Sequence, residues 1–279
     1  MCSWNIGGAR DKLNHGKLDD FLDLFDVIWI LETKLIKSTD ISGFIPYYNP
    51  SAYGEHRGGI LLKVKNYLEK YILNVNTDFE SQIWLELSIY PKISFGGVYI
   101  PPIDSAYYDQ SLIANMSAHI KNKKKVVVLG DFNARPGTPI IPKKRIGFYE
   151  YDGIKDHTVN APGKNLINLC KEKSLVVANH LRYNERCLGG DLSYRKGTRW
   201  ISEKDLCLIH EDVLPILNEV EVKQNIKGSD HAPLCISLSA TNRNSLLPLL
   251  LERSKYLGQS YIGSPKKETL LPKQDLPKK

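Results

Sequence analysis

A chain of 279 residues with 42% hydrophobic and 25% charged side chains has the composition of a soluble globular protein, long enough for one large α/β domain or two small ones. No apolar run approaches a membrane span and no basic-then-apolar leader opens the sequence, so neither a membrane partner nor secretion is expected. The formal charge of +7 is uneven: from Thr241 onward eight Lys or Arg face three Asp or Glu, while the rest is close to neutral, so only the tail is basic enough to favour a polyanion.

The predicted elements begin with a strand at Cys2 to Ile6, which starts so abruptly that residues are expected upstream. Leu18, Phe21, Leu22 and Phe25 fall on one face of a helix from about Lys17 to Phe25. Asp26 to Leu31 is a buried strand ending at Glu32. Gly58 to Val64, Gln82 to Tyr90 and Ser94 to Ile100 continue as strands, two of them alternating as a half-covered sheet does, and Pro101-Pro102 closes the last. Tyr108, Leu112, Met116 and Ile120 mark a helix whose terminal lysines, Lys121 to Lys125, complement its dipole.

Val126 to Leu129 is a short buried strand. Gly130 ends it, and Asp131 and Asn133 follow two positions apart, on the same side if the chain stays extended. A helix at Lys164 to Lys173, a strand at Leu175 to Ala178, a hairpin within Leu192 to Ile209 and strand segments within Val213 to Leu238 complete the pattern. Beyond about Ala240 it decays, so residues 1–240 are expected to form the domain and 241–279 a basic flexible tail. Short turns between neighbouring strands argue for a mixed, two-sheet α/β sandwich over a parallel doubly wound sheet.

Five cysteines (2, 170, 187, 207 and 235) form no CxxC pair, so neither a zinc site nor a disulfide framework is indicated, and a reducing compartment, cytosol or nucleus, fits. Cys207 and Cys235 read as small buried hydrophobes, and the Gly58-Gly59 and Gly96-Gly97 pairs as points of close strand packing. Polar residues stand at the ends of the apolar runs: Asn5, Glu32, Tyr99, Asp131 with Asn133, Asp205, and Asp230 with His231. Each alone reads as a turn or cap. An acid and an amide at one sheet lip, with a carboxylate beside an imidazole at another, suggest metal-assisted phosphodiester hydrolysis. The other histidines have no partner spacing.

Glu32-Thr-Lys-Leu, Val98-Tyr-Ile-Pro-Pro, Gly130-Asp-Phe-Asn-Ala-Arg-Pro-Gly and Ser229-Asp-His-Ala-Pro-Leu, in that order, resemble the endonuclease/exonuclease/phosphatase superfamily, most of all the endonuclease domain of non-LTR (LINE-type) retrotransposons. The resemblance implies a DNase-like, four-layered α/β sandwich of two packed mixed sheets flanked by helices. It implies a Mg²⁺-dependent endonuclease (with Mn²⁺ as a substitute) that nicks DNA to leave a 3′-hydroxyl, with a reverse transcriptase domain possible in a longer parent chain. By resemblance, Glu32, Asn5 and Asp230 serve the metal, and Asp131 orients or deprotonates water. Asn133 and Tyr99 bind the scissile phosphate, His231 stabilises its charge, Asp205 orients His231, and Ser193 and Ser229 support.

Two departures stand out: Gly7 replaces an acid found in some abasic-site enzymes, and Lys204 precedes Asp205 where an aliphatic residue is usual. In the hairpin, Arg195, Lys196 and Arg199 read as DNA contacts, with Tyr194 and Trp200 as braces, or as a solvated turn at Gly197; Lys143-Lys144-Arg145 is similarly open. A phosphatase acting on inositol phosphates or phospholipids and an inactive DNA-binding remnant are the alternatives.

Overall fold

The computed structural model describes residues 1–13, 18–35, 43–50, 57–123, 125–138, 149–239 and 253–255. The Lys143-Lys144-Arg145 cluster and almost all of the basic tail lie outside them. The first elements are β1 (Cys2–Asn5), α1 (Arg10–Leu13), α2 (Asp19–Leu22), β2 (Val27–Leu31), β3 (Phe44–Asn49), β4 (Ile60–Lys65), β5 (Ile72–Asn76), β6 (Gln82–Leu87) and β7 (Ile93–Tyr99). Next come α3 (Ser111–Lys121), β8 (Lys125–Asp131), β9 (Tyr149–Tyr151), α4 (Ala161–Lys173), β10 (Leu175–Val177), β11 (Leu181–Tyr183) and β12 (Arg186–Cys187). The last are β13 (Tyr194–Lys196), β14 (Arg199–Ser202), β15 (Asp205–His210), β16 (Leu217–Val222) and β17 (Leu234–Leu238).

Two six-stranded sheets carry the fold, in the orders β16-β17-β1-β2-β4-β3 and β10-β15-β8-β7-β6-β5. Each is mixed: β1–β2 in the first and β7–β8 in the second are parallel, and the other pairs are antiparallel. The sheets pack face to face, with β17 against β15, β1 against β8, β2 against β7 and β4 against β6. Trp29 is the wedge between them, donating its indole N–H to the Ile83 carbonyl at 3.1 Å and lying where a β-carbon on Gly97 would come within 1.9 Å. Gly96 makes the matching concession to Trp84, so this glycine pair marks close packing as its sequence suggests.

Helices cover the outer faces. Leu112, Met116 and Ile120 of α3 and Leu166, Leu169 and Cys170 of α4 bury Trp84, Val98, Val126, Val128, Leu206 and Leu208 of the second sheet. Leu13, Phe21 and Leu22 cover Trp4, Ile28, Ile30 and Leu61 of the first. The result is the expected sandwich of two mixed sheets flanked by helices. Sequence reading starts α4 at Lys164, but the helix begins at Ala161: Asn160 caps it by accepting from the Gly163 N–H at 2.8 Å, and Pro162 sits in the first turn, where its missing N–H costs nothing.

The expected half-covered alternation is overturned. β7 is buried throughout and β6 at all but Glu86, because one face meets the opposite sheet and the other meets α3. The polar residues that mimic a solvent face are satisfied internally: Gln82 donates to the Leu112 carbonyl and accepts from Trp84, and Glu86 pairs with Lys123 at 2.6 Å. Strands β3, β5, β9, β11 and β12 had no sequence expectation, being short or edge pieces without a clear apolar run.

Cys207 and Cys235 are buried, the latter with its sulfur 3.6 Å from that of Cys2. Among the described residues no helix is long and apolar enough to cross a membrane. The chain divides into a unit of Met1–Asn242 and a second of Arg243–Lys279; of the second, only one helical turn at 253–255 is described.

Candidate active site

The stacking order brings distant residues to one rim. Along the first sheet, neighbouring strands place His231 (before β17), Asn5 (β1), Glu32 (after β2) and Arg57 (before β4) in lateral succession. Along the second, Asp205 (β15), Asp131 (β8), Tyr99 (β7) and Ser81 (before β6) follow the same direction. Since β17 lies over β15, β1 over β8, β2 over β7 and β4 over β6, the rim is a double row of four columns. All of these but Asp205 line an open cleft of about 550 Å³.

Hydrogen bonds tie the first three columns together. His231 Nδ1 lies 2.8 Å from Asp205 Oδ2, and its Nε2 is 3.7 Å from Asp131 Oδ2. Asp131 accepts from the Asn5 amide at 3.0 Å, the Asn133 backbone N–H at 2.9 Å and the Asn133 amide at 3.2 Å. Asp131 and Asn133 therefore do share one site, but not by extended geometry. Asn133 has φ +44, and the Asp131 carboxylate caps the backbone two residues on, a tight turn that swings the amide back toward the acid. The Asn5 amide also donates to Glu32 Oε2 at 3.1 Å and so bridges two carboxylates. Glu32 itself stands at φ +52, a conformation a non-glycine residue adopts only under constraint, here imposed by the Gly8 and Thr33 backbone bonds on either side.

A family model described as Endonuclease/Exonuclease/phosphatase matches residues 2–231, nearly all of this framework. The chain belongs to the endonuclease/exonuclease/phosphatase family. By sequence, no curated protein matches it. Among solved structures it is similar to a Neisseria 3′ phosphatase, NExo, bound to a product DNA hairpin, and to the 3′-5′ exonuclease NExo from Neisseria meningitidis. Each is 16% identical, with 85% of this chain and 98% of that chain covered at a TM-score of 0.61, so what is shared is the fold.

Electrostatics within this family site are set by burial. Asp131, 1% exposed, has its pKa raised to about 6, by desolvation first and by Asp205, with His231 and the Asn133 and Asn5 hydrogen bonds opposing. His231 has its pKa raised to about 9: burial opposes its charge, but the Asp205 and Asp131 carboxylates outweigh it. Desolvation, Glu32 and Asp131 push the Tyr99 phenol far up, so it remains an O–H donor at any working pH.

Family enzymes typically use divalent cations, and the donor set fits one. Glu32 and Asp131 line the cleft, with Asp205 behind His231, and the two cations closest to these acids are already engaged, His231 with Asp205 at 2.8 Å and Lys34 with Glu32 at 3.1 Å. A phosphate entering that field needs positive charge to offset the repulsion. Asp131, Asp205 and His231 approach within 4.8 Å of one another, close enough for an ion, but His231 Nδ1 is already bonded to Asp205 and a mixed N/O set suits transition metals. The Glu32 carboxylate, facing the open cleft, better suits a hard cation.

Asn5 joins the two acids: its amide nitrogen donates to both, and its oxygen accepts the Gly7 N–H at 3.0 Å. Asp230 is exposed, at the rim beside Gly7, and outside the cleft lining.

Ser193 and Ser229 act on the backbone. Ser193 Oγ accepts from the Lys204 and Asp205 N–H groups; Ser229 Oγ donates to the Asn5 carbonyl at 2.7 Å and accepts from the His231 N–H. Arg195, read from sequence either as a DNA contact or as part of a solvated turn, is half-buried. It donates to the Ser229 carbonyl at 3.0 Å with its guanidinium over the Trp200 ring, bracing the β13–β14 hairpin against the His231 loop. Lys196 and Arg199 remain exposed at its tip.

Sequence reasoning missed Arg57 and Tyr107 in the cleft and the pair beneath it, Arg135 and Asp156. Arg135 makes a double hydrogen bond to Asp156 at 2.7 Å, and Asp156 also accepts from the Glu203 and Thr158 N–H groups. Burial opposes the charge, yet those bonds hold the Asp156 carboxyl below its ordinary value. Its stabilisation is therefore present above the unfolded pKa and is lost as pH falls through the folded one. We expect Asp156→Ala to cost about 1.5–3 kcal/mol, the value of hydrogen bonds to a charged group, measured by urea unfolding at neutral pH, with the deficit narrowing in acid. An unchanged midpoint would remove Asp156 as an anchor of the Asn133 loop.

Proposed function

We propose that this protein is a Mg²⁺-dependent endonuclease that hydrolyses one phosphodiester of a DNA strand by in-line attack of water, leaving a 3′-hydroxyl. The observation that carries this is the Asp205–His231–Asp131 chain, closed onto Glu32 through the Asn5 amide at the floor of an open cleft. Glu32, with Asp230 at the rim, would hold the cation, which supplies Lewis-acid charge to the phosphate when bound. Asp131 is the buried carboxylate to orient the water and take its proton. Asp205 fixes Nδ1 of His231 so that Nε2 faces the reacting phosphate, where its N–H meets developing negative charge. Tyr99 and Asn133 are the neutral donors on the same side.

DNA as substrate is supported by the product hairpin bound in the Neisseria phosphatase of the same fold. The retrotransposon-type assignment rests on the motif set and on the β13–β14 hairpin directly ahead of β15. Supercoiled plasmid is the decisive substrate because it has no ends. Open circles formed with Mg²⁺ and prevented by EDTA are expected; trimming confined to linear 3′ ends would mean an exonuclease or 3′ phosphatase instead. Glu32→Gln is expected to raise the Mg²⁺ concentration for half-maximal nicking at least about 10-fold, the lower bound for losing even a supporting metal contact. An unchanged Mg²⁺ titration would move the cation elsewhere.

A further inference from the structure

The outer columns of the rim each hold a cation laid on an aromatic ring. On the β15/β17 side, Lys204 Nζ sits 4.0 Å from the centroid of Tyr194, whose ring is 5.0 Å from that of His231. On the β4/β6 side, the Arg57 guanidinium sits 4.3 Å from the centroid of Tyr107 and donates to Ser105 Oγ at 3.3 Å. All four residues line the cleft. Neither cation makes an ion pair among the described residues, although the Asp131 and Glu32 carboxylates stand in the columns between them; Lys34, by contrast, is paired with Glu32. A ring contact at an open cleft is enough to fix the direction of a cation and too little to satisfy its charge. Three strand spacings separate the two sides, roughly 14 Å at about 4.8 Å each.

We propose that Lys204 on Tyr194 and Arg57 on Tyr107 are positioning stations, each taking a backbone phosphate that flanks the scissile one. The strand then crosses the cleft from column to column with its reacting phosphate over Asp131 and Glu32. This rests on the reading of the site as one for nucleic-acid phosphodiesters, and it sharpens it: the substrate continues on both sides of the cut, which an isolated phosphomonoester does not. Lys204 becomes a specificity residue where resemblance leads one to expect an inert aliphatic.

The test is equilibrium binding of the whole protein to a short fluorescein-labelled DNA duplex in EDTA, between about 50 and 200 mM salt, where the slope of log K against log salt counts neutralised phosphates. Lys204→Leu and Arg57→Leu are each expected to lower the slope by about one and the double variant by about two. Lys204→Arg should retain it, and Lys171→Leu, on α4 outside the cleft, should leave it unmoved. Wild-type slopes in both cleft variants, or an equal loss in the Lys171 control, overturn the inference even where the enzyme nicks plasmid. Full slope changes in a protein that never nicks would sustain these stations while removing the proposed activity.

Discussion

Asp131→Asn is expected to lower the initial rate of plasmid nicking by about 10³-fold or more, within the range for removing a positioned base together with its charge. The substitution keeps the volume of the side chain but puts an amide where three donors, Asn5 Nδ2, Asn133 N and Asn133 Nδ2, all require an acceptor. One amide oxygen cannot serve them and also receive a proton from water. Because Asp131, His231 and Asp205 form one chain, their losses are not expected to add: the Asp131→Asn/Asp205→Asn double variant should fall little below the worse single one. Gel densitometry of supercoiled against open-circular plasmid reads both effects, with the thermal midpoint as the folding control. A folded Asp131→Asn protein within tenfold of the wild-type rate would exclude Asp131 as the group that handles the water.

Gly130→Ala is expected to be the most damaging single-methyl change to the fold. Gly130 pairs with Val98 in the parallel β7–β8 ladder at the centre of the second sheet, and a β-carbon there would lie 1.9 Å from the Val98 carbonyl oxygen. That obstacle is backbone, so neither side chain nor rotamer can yield; the two strands carrying Tyr99 and Asp131 must separate. We expect a loss of about 3 kcal/mol or more, at the upper end of overpacking costs, seen as a fall of at least about 1 M in the urea midpoint for an m-value of about 1–3 kcal/mol/M. Gly153→Ala is the comparison: it has φ +69 and nothing within 4 Å of an added β-carbon, so only the left-handed penalty of about 1–2 kcal/mol applies. Equal midpoints for the two variants would mean that β7 and β8 are not so tightly apposed.

Much of the site was legible in the chain because its pieces are local. Gly130-Asp131-Phe132-Asn133 contains its own turn, and Ser229-Asp230-His231 its own hydroxyl-to-backbone bond, so neither needs distant residues to be recognised. Lys204 announced itself as a departure. Arg57, Tyr107 and Asp156 gave no signal, since each acquires its role only from a residue across a loop. The same holds for Arg195, whose bond to the Ser229 carbonyl depends on a loop more than thirty residues on.

The sequence by itself determined the central strands and the main helices, which polar groups stand at their ends, and the chemical types available for a phosphate site, because periodicity and turn chemistry act over a few residues. Only the tertiary structure decided which ends meet. Hydrophobic alternation says that a face is buried but not which strand lies beside it. The placement of β1 between β2 and β17, and of β8 between β7 and β15, follows from how two twisted sheets fill one core around Trp29. That packing sets Asn5 against Asp131 and His231 against Asp205.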